Sequence, residues 1–242
     1  MTRAMFGELF DLIWPRVCAV CGRRVDRPAR HLCAECLNRL PLTDVDGCCR
    51  RCGRSAIGLK GEFLCEDCRE NRPAFDRVAS ALRFEGIARD LVNGYKFKHR
   101  FHLVPDFVDM LEASARARFR TDEIDLVLPM PITLWHRFDR GYNQCEYLAR
   151  GLARALKRPY AAHVLARRGS PARQGGLDEA ARRENVKGTF RVRKPSAVEG
   201  LTVLVVDDIM TTGSTLAECA AELKRAGAAC VWCQTLARSF RT

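Results

Sequence analysis

The sequence predicts an α/β protein, with a mostly parallel sheet flanked by helices and a small cysteine-rich unit in front of it. Two observations lead to this prediction. After Pro73, short runs of branched apolar residues alternate with helical segments, which is the pattern of parallel strands joined by helices. Before Pro73, eight cysteines stand in four C-x2-C pairs. A chain of 242 residues is long enough for one large core and a small appendage.

The elements of the α/β part follow from the apolar pattern. Strands are expected at 78–84, 124–128, 163–166, 203–206 and 230–236. Helices are expected at 87–93, at 103–119, at 142–156 and from Leu216 to a glycine at 227.

Three segments result from this interpretation. Residues 1–17 form a short helix that ends at Pro15, residues 18–72 form the cysteine-rich unit, and residues 73–242 form the α/β domain. No apolar run approaches the roughly 18 residues of a membrane span, and the first residues lack the cleavage site of a signal peptide. We therefore expect a cytoplasmic protein without a membrane-spanning segment.

The C-x2-C pairs form an internal repeat, in which corresponding cysteines lie 31 or 32 residues apart. The candidate metal ligands are Cys18, Cys21, Cys33, Cys36, Cys49, Cys52, Cys65 and Cys68. Two such pairs supply four thiolates to a tetrahedral Zn²⁺ and leave no open position, so we predict two structural zinc sites rather than disulfides. Sequential pairing follows the repeat. A cross-braced pairing remains open, and only the C-x2-C count selects Cys49 over Cys48.

Positive charge is concentrated in one segment of the α/β part. The formal net charge is +12, and residues 166–194 hold nine Lys or Arg against three acids. The cysteine-rich unit becomes about neutral once eight thiolates and two Zn²⁺ are counted. A basic segment of this kind suits a polyphosphate, a nucleic acid or both.

The most informative stretch runs from Val203 to Leu216. Four branched apolar residues are followed by Asp207 and Asp208, then by a turn rich in hydroxyls, then by a helix. Acids at the carboxyl end of a parallel strand lie where α/β sheets bind ligands, and a helix N-terminus binds phosphate. An ordinary turn with an aspartate cap is the alternative, but it does not explain two adjacent acids followed by TTGST.

This stretch resembles the 5-phosphoribosyl 1-diphosphate (PRPP) signature of the type I phosphoribosyltransferases. The resemblance implies the type I phosphoribosyltransferase fold, with Asp207 and Asp208 on the ribose 2′- and 3′-hydroxyls. It also implies that the 5′-phosphate is wrapped by Thr211, Thr212, Gly213, Ser214 and Thr215. Mg²⁺ bridging pyrophosphate and ribose oxygens is the cofactor that this resemblance implies.

Two further runs point to a narrower family. LPMPITLWHRFDRGYNQCEYLARGLA, from Leu128, and SPARQGGLDEAARRENVKGTF, from Ser170, resemble two motifs of the ComF family (ComF/GntX-type). With a double zinc ribbon in front, the resemblance covers nearly the whole chain. It implies a role in natural transformation, in which incoming single-stranded DNA is handled together with a DNA-uptake helicase.

The same resemblances assign roles to several cations. Arg137 and Arg140 follow Pro129-Met130-Pro131, where type I phosphoribosyltransferases hold pyrophosphate. The basic segment resembles the loop that closes over PRPP, and its cations are Arg173, Arg182, Arg183 and Lys187. A solvated surface turn is the alternative for the arginine pair, and a nucleic-acid backbone is an equally good partner for the segment.

We therefore favour a ComF-family protein that binds PRPP or a related phosphoribosyl ligand. Catalysis is left undecided, because no acceptor pocket is identifiable from the residues. The alternative is a non-catalytic protein that binds single-stranded nucleic acid and keeps the fold. The stretch from Tyr95 to Phe101 interleaves aromatics and cations, which is typical either of a base-stacking surface or of a helix end with its aromatics in the core.

Overall fold

A computed structural model describes residues 16–25, 30–56, 58–133, 141–168 and 188–240 of the chain. Within these ranges the strands are β1 (Arg77–Arg83), β2 (Leu126–Pro129), β3 (Leu165–Arg167), β4 (Phe190–Val192), β5 (Thr202–Met210) and β6 (Cys230–Arg238). The helices are α1 (Ala34–Asn38), α2 (Glu66–Glu70), α3 (Gly86–Phe97), α4 (Val104–Arg118), α5 (Gln144–Leu156) and α6 (Ser214–Arg225). Three 3-10 turns lie at Phe101–Leu103, Thr121–Glu123 and Pro195–Ala197.

Four of the strands form a parallel sheet in the order β1-β6-β5-β2. The two central strands are apolar over most of their length, because both faces of the sheet are covered. On one face, Leu204 and Val206 of β5 share a core with residues of α3, α4 and α5. On the other face, Val203 and Val205 pack in a second core with residues of α6. The expectation of a mostly parallel sheet flanked by helices is confirmed.

Strand β5 is longer than the sequence pattern indicates. The apolar run predicts a strand over 203–206, whereas the strand continues to Met210 and pairs with β6 up to Arg238. Asp207 and Asp208 therefore lie within the paired part of β5 rather than after its end. Their backbone is fixed by a neighbouring strand, which gives the two carboxylates defined directions.

The strand predicted at 163–166 does not join the main sheet. It is found at Leu165–Arg167, where it pairs antiparallel with β4, a strand that the sequence pattern does not reveal. Phe190 and Val192 of β4 are buried while Arg191 between them is exposed, so this small sheet has only one apolar face. A two-stranded sheet with one apolar face packs against the surface of a core rather than within the four-stranded sheet.

The N-terminal repeat is visible in the backbone. In the first unit Cys18 N–H donates to Arg23 O (2.7 Å), and in the second Cys49 N–H donates to Arg54 O (2.8 Å). Each unit ends in a five-residue helix, α1 or α2, that contains its last cysteine. The duplicated unit predicted from the cysteine spacing is therefore a duplicated structure.

The repeat lies along the outer edge of the sheet. Val78 N–H of β1 donates to Arg51 O (2.7 Å), and Arg83 N–H donates to Pro41 O (2.7 Å). Leu42 forms an isolated antiparallel bridge with Leu82. These contacts cover backbone groups that an edge strand otherwise exposes, which protects β1 from pairing with another chain.

The predicted helix within residues 1–17 lies almost wholly outside the described residues, and the domain boundaries at 17/18 and 72/73 stay predictions. Among the described residues, no helix is both long enough and apolar enough to cross a membrane.

Candidate functional site

The acid pair is buried at the end of β5 and is partnered by other elements. Asp207 is 9% exposed and Asp208 is 4% exposed. Asp208 accepts a hydrogen bond from Gln144 Nε2 of α5 (2.8 Å) and forms an ion pair with Lys96 Nζ of α3 (2.9 Å). Its other oxygen accepts from the N–H of Ile209 (2.7 Å). Two helices and the strand itself thus fix this carboxylate.

The two carboxylates differ in their protonation. Burial alone favours the neutral form of Asp208, but the Lys96 ammonium and the Gln144 amide outweigh burial and lower its pKa. For Asp207, burial and the neighbouring Asp208 charge raise the pKa to about 7. Near neutral pH, Asp208 is a carboxylate, whereas Asp207 keeps its proton to a higher pH than an ordinary aspartate does.

Cys145 lies against the acid pair. Its Sγ is 3.4 Å from Asp207 Oδ1, and burial raises the pKa of this thiol well above its ordinary value. The group is therefore a neutral thiol that donates to the carboxylate. Although Cys145, Asp207 and Asp208 lie close enough to share an ion, Lys96 already supplies the positive charge there, so the cluster does not resemble a further zinc site.

Lys96 reaches the site because α3 is tied to α5. Tyr95 is fully buried, and its hydroxyl donates to the Gln144 carbonyl at the start of α5 (2.6 Å). The next residue, Lys96, then turns toward β5. Sequence reasoning missed this lysine, because it lies more than 100 residues from the acids and its local pattern suggested only a base-stacking surface or a core helix end.

The N-terminus of α5 is fixed by a capping residue. Asn143 Oδ1 accepts from Cys145 N–H (3.0 Å), while its Nδ2 donates to the Met130 carbonyl after β2 (3.0 Å). One buried side chain therefore joins the end of β2 to the start of α5, and it places both Gln144 and Cys145 beside the acids.

The predicted phosphate loop follows directly after β5. Gly213 has φ +83°, a left-handed conformation that favours glycine, and an added Cβ there lies 2.6 Å from Met210 Cε. The hydroxyls of Thr212 and Ser214 are hydrogen-bonded to each other (2.9 Å). Since the first amides of a helix have no intrahelical acceptor, the N-terminus of α6 presents donors beside these hydroxyls. The structure thus brings the acid pair and the loop of residues 211–215 together.

Arg167 is a half-buried cation that the sequence reasoning did not single out, and it lies close enough to Asp207 for the two charges to interact. Arg167 of β3 has its guanidinium carbon 5.4 Å from the centre of the Phe190 ring, and its Nε has no hydrogen-bond partner. Burial lowers the pKa of Arg167, and the charge of Asp207 partly opposes this. Arg167 also lines a cavity of about 500 Å³ together with Arg168, Arg191 and Arg193.

Other predicted cations cannot be placed. Arg137 and Arg140, and the segment with Arg173, Arg182, Arg183 and Lys187, lie outside the described residues. In the stretch from Tyr95 to Phe101, Tyr95 is in the core while Phe97 is 60% exposed, and a base-stacking role stays a prediction.

The cysteines form two clusters in sequence order, Cys18/21/33/36 and Cys49/52/65/68. Sulfur–sulfur distances of 3.7 Å occur in both clusters, between Cys21 and Cys33 and between Cys52 and Cys65. Tetrahedral zinc with bonds of about 2.3 Å separates its sulfurs by about 3.8 Å, so the residues present fit Zn²⁺. Cys48 is turned away and donates to the Asp44 carbonyl (3.0 Å). The sequential pairing is thereby the one that the structure shows.

Comparison with protein families agrees with this architecture. A model described as phosphoribosyl transferase domain matches residues 143–240, and one described as double zinc ribbon domain matches residues 9–69. Among solved structures, glutamine PRPP amidotransferase from B. subtilis aligns with 21% identity and a TM-score of 0.41, over 60% of this chain and 30% of that one. The chain therefore spans about a third of that enzyme's length.

Curated relatives match over most of their length. DNA utilization protein YhgH of Salmonella typhi is 32% identical over 231 residues, which is 90% of this chain and 88% of the relative. Competence protein F of Haemophilus influenzae is 26% identical, over 87% of this chain and 91% of its own. Competence protein ComFC of Bacillus subtilis is 24% identical, over 93% and 85%. With its double zinc ribbon and phosphoribosyltransferase domain in the same order, the chain belongs to the ComF family.

Proposed function

We propose that this chain binds PRPP or a similar phosphoribosyl compound at the end of β5. The observation that carries the proposal is the buried acid pair placed directly before a hydroxyl-rich loop and a helix N-terminus. Carboxylates accept hydrogen bonds from vicinal sugar hydroxyls, whereas amides and hydroxyls donate to phosphate. The loop begins three to four residues after the acids. This separation suits one ribose 5-phosphate whose ring hydroxyls contact the acids while its phosphate contacts the loop.

Lys96 gives the acid pair a specific charge state for this role. Two adjacent buried carboxylates repel each other, and the ammonium at 2.9 Å keeps Asp208 ionised in spite of burial. An ionised Asp208 is ready to accept from a ribose hydroxyl. Gln144 holds the same oxygen, so the carboxylate does not need to reorient when a ligand binds.

Pyrophosphate and Mg²⁺ belong to the same proposal. Mg²⁺ bound with the ligand would neutralise part of the pyrophosphate charge, and Arg137, Arg140 and the cations of the basic segment would neutralise the remainder. In a transfer reaction an acceptor nucleophile would form a bond to ribose C1 while the bond between C1 and the pyrophosphate oxygen breaks, and pyrophosphate would leave with the bonding electrons. Cations at this position stabilise that leaving group.

The test is isothermal titration of the zinc-loaded protein with PRPP and Mg²⁺. We expect binding in the wild type and a loss of affinity of about 100-fold or more in Asp207→Asn/Asp208→Asn, because two charge-assisted hydrogen bonds are removed. Asp122→Asn, at an exposed acid of the 3-10 turn before β2, is the matched control and should bind as the wild type does. Absence of heat in the wild type would contradict the proposal.

We further infer a role in DNA uptake, on the model of the relatives that are named for competence and DNA utilization. A second candidate function, binding of single-stranded nucleic acid without catalysis, is favoured by one surface. Phe101, Tyr142, Tyr147 and His99 form a ring cluster with centroid distances of 4.6 to 5.1 Å. Tyr147 is 46% exposed, and Lys98 and Arg100 flank the cluster in sequence.

A further inference from the structure

The two zinc ribbons are alike in sequence but differ in their surroundings. In the first cluster Cys21 is exposed and Cys33 is partly exposed, whereas all four cysteines of the second cluster are buried. The second cluster belongs to the same apolar core as Leu216 and Cys219 of α6. The second ribbon therefore packs in the core that contains the start of α6, whereas Cys18 and Cys36 of the first ribbon belong to the other core, with residues of α3, α4 and α5.

Arg238 joins the second cluster to the sheet. It is the last residue of β6 and is 3% exposed. Its Nη1 donates to the Cys52 carbonyl, and its Nη2 lies 3.7 Å from Cys52 Sγ. In the first ribbon the equivalent cysteine, Cys21, is accompanied by the exposed Arg23 of its own knuckle.

A buried guanidinium requires a negative partner, because an isolated buried charge is strongly destabilising. Among the described residues no carboxylate forms an ion pair with Arg238. Four thiolates and one Zn²⁺ carry a formal charge of about −2. The zinc-loaded second cluster is thus the counter-ion of Arg238.

The same arginine lies beside the phosphate loop. Arg238 pairs with Met210 in the β5–β6 ladder, and the next residue, Ser239, donates its N–H to the Met210 carbonyl (2.9 Å). Met210 Cε in turn lies under Gly213. A cavity of about 270 Å³ is lined by Cys52 and Arg238 on one side and by the residues 212–214 on the other.

We propose that Arg238 is a positioning residue which, held by the zinc-loaded second cluster, fixes the loop of residues 211–215 in its phosphate-binding conformation. Zinc in the second cluster therefore controls affinity for the phosphate group, while zinc in the first cluster does not. The inference rests on the proposed phosphoribosyl site and assigns to one ribbon a role in that site.

The internal repeat supplies a matched pair of variants. Cys21→Ser and Cys52→Ser occupy equivalent positions, and each should lower the zinc content from two ions to one per chain. We expect the affinity for ribose 5-phosphate, measured by titration calorimetry, to fall about tenfold or more in Cys52→Ser and to stay within twofold in Cys21→Ser. Equal affinities in the two variants would overturn the inference.

Arg238→Gln tests the arginine with both zinc ions in place. We expect two zinc ions per chain, a tenfold weaker ribose 5-phosphate complex and partial rescue by Arg238→Lys, which restores the charge but not both contacts. In the cobalt-substituted protein the thiolate charge-transfer bands should shift, because an N–H donor to Cys52 is lost. Wild-type affinity in Arg238→Gln contradicts the inference.

Hydrogen exchange separates this inference from the proposed function, because it needs no ligand. In Arg238→Gln and in Cys52→Ser, the peptide that contains residues 211–216 should exchange faster, whereas the same peptide in Cys21→Ser should not. If the wild type binds no phosphoribosyl compound, the proposed function fails, but hydrogen exchange still shows whether the second zinc cluster and Arg238 hold the loop of residues 211–215. Unchanged exchange in both variants overturns that connection even if the wild type binds PRPP.

Discussion

At the scale of single residues, the site depends on an asymmetry between two adjacent carboxylates. Lys96 and Gln144 both contact Asp208, whereas the hydrogen bonds to Asp207 among the described residues come from the Cys145 thiol and the Asp208 N–H. The charge of the pair is therefore held on one member. The other member, buried beside a negative charge, is the one whose protonation changes near neutral pH.

This asymmetry predicts a pH dependence for ligand binding. A protonated Asp207 is a poorer acceptor for a ribose hydroxyl, and burial with the Asp208 charge raises its pKa to about 7. Affinity for PRPP should therefore fall as pH drops below 7, by up to about tenfold per unit, and should level off above pH 8. Calorimetry from pH 5.5 to 8.5 tests this, with phosphate buffer avoided.

Asp207→Asn is the matched variant for that profile. It removes the titrating group, so its weaker binding should lose the step near pH 7 and keep only the shallow slope from the ligand's own phosphates. A wild-type profile without a step near pH 7, or the same step in Asp207→Asn, contradicts the assignment.

Residues of the site differ in how far the sequence reveals them. Asp207, Asp208 and the loop lie within nine consecutive positions, so their chemistry is readable as one local pattern. Lys96, Arg167 and Arg238 come from three distant elements, and each looks like an ordinary basic residue where it stands. Their roles depend on which elements the fold brings together, and one sequence does not contain that information.

At the scale of elements, the start of α5 holds the site together. Asn143 caps the helix through Oδ1 and ties it to the Met130 carbonyl through Nδ2, and the same helix start carries Gln144 and Cys145. Helix position and acid-pair geometry are therefore coupled through one buried side chain.

Asn143→Ala should lower the free energy of unfolding by about 1–2 kcal/mol, because a cap is lost and a buried carbonyl loses its donor. Asn143→Ser keeps a cap acceptor and should recover part of that loss. Urea unfolding followed by circular dichroism measures both variants. Stability of Asn143→Ala within about 0.3 kcal/mol of the wild type would show that the cap is dispensable.

The elements also show where a periodic apolar pattern is sufficient to predict a strand or a helix from the sequence. Strand β6 and helices α4 and α5 have ends within two residues of the predicted ones, because their apolar residues face a core over most of their length. Strand β4 was not predicted, because it has three residues and its alternation is too short to distinguish from a loop.

At the scale of the whole molecule, charge and aromatic exposure bear on nucleic-acid binding. The formal net charge is +12, and the cluster of Phe101, Tyr142, Tyr147 and His99 contacts the end of the helix that carries Lys96, since the Tyr142 hydroxyl lies 3.5 Å from the Lys96 carbonyl. Bases stacked on these rings would lie near the helix end whose lysine contacts Asp208. Basic residues contribute affinity for the backbone, and exposed rings contribute selectivity for unpaired bases.

We therefore expect a labelled oligothymidine to bind with an affinity that falls steeply with salt, because several counterions are released. Tyr147→Ala should weaken this complex by about 1–3 kcal/mol, the usual contribution of one stacked base, and should leave the weaker binding of duplex DNA unchanged. Leu59→Ala, at an apolar side chain of the second ribbon that is 53% exposed, is the control. Fluorescence anisotropy at several salt concentrations measures all three proteins. An affinity that is flat against salt, or equal losses for the oligothymidine and the duplex in Tyr147→Ala, would exclude a base-stacking surface at this place and would leave the proposed phosphoribosyl compound as the better candidate ligand.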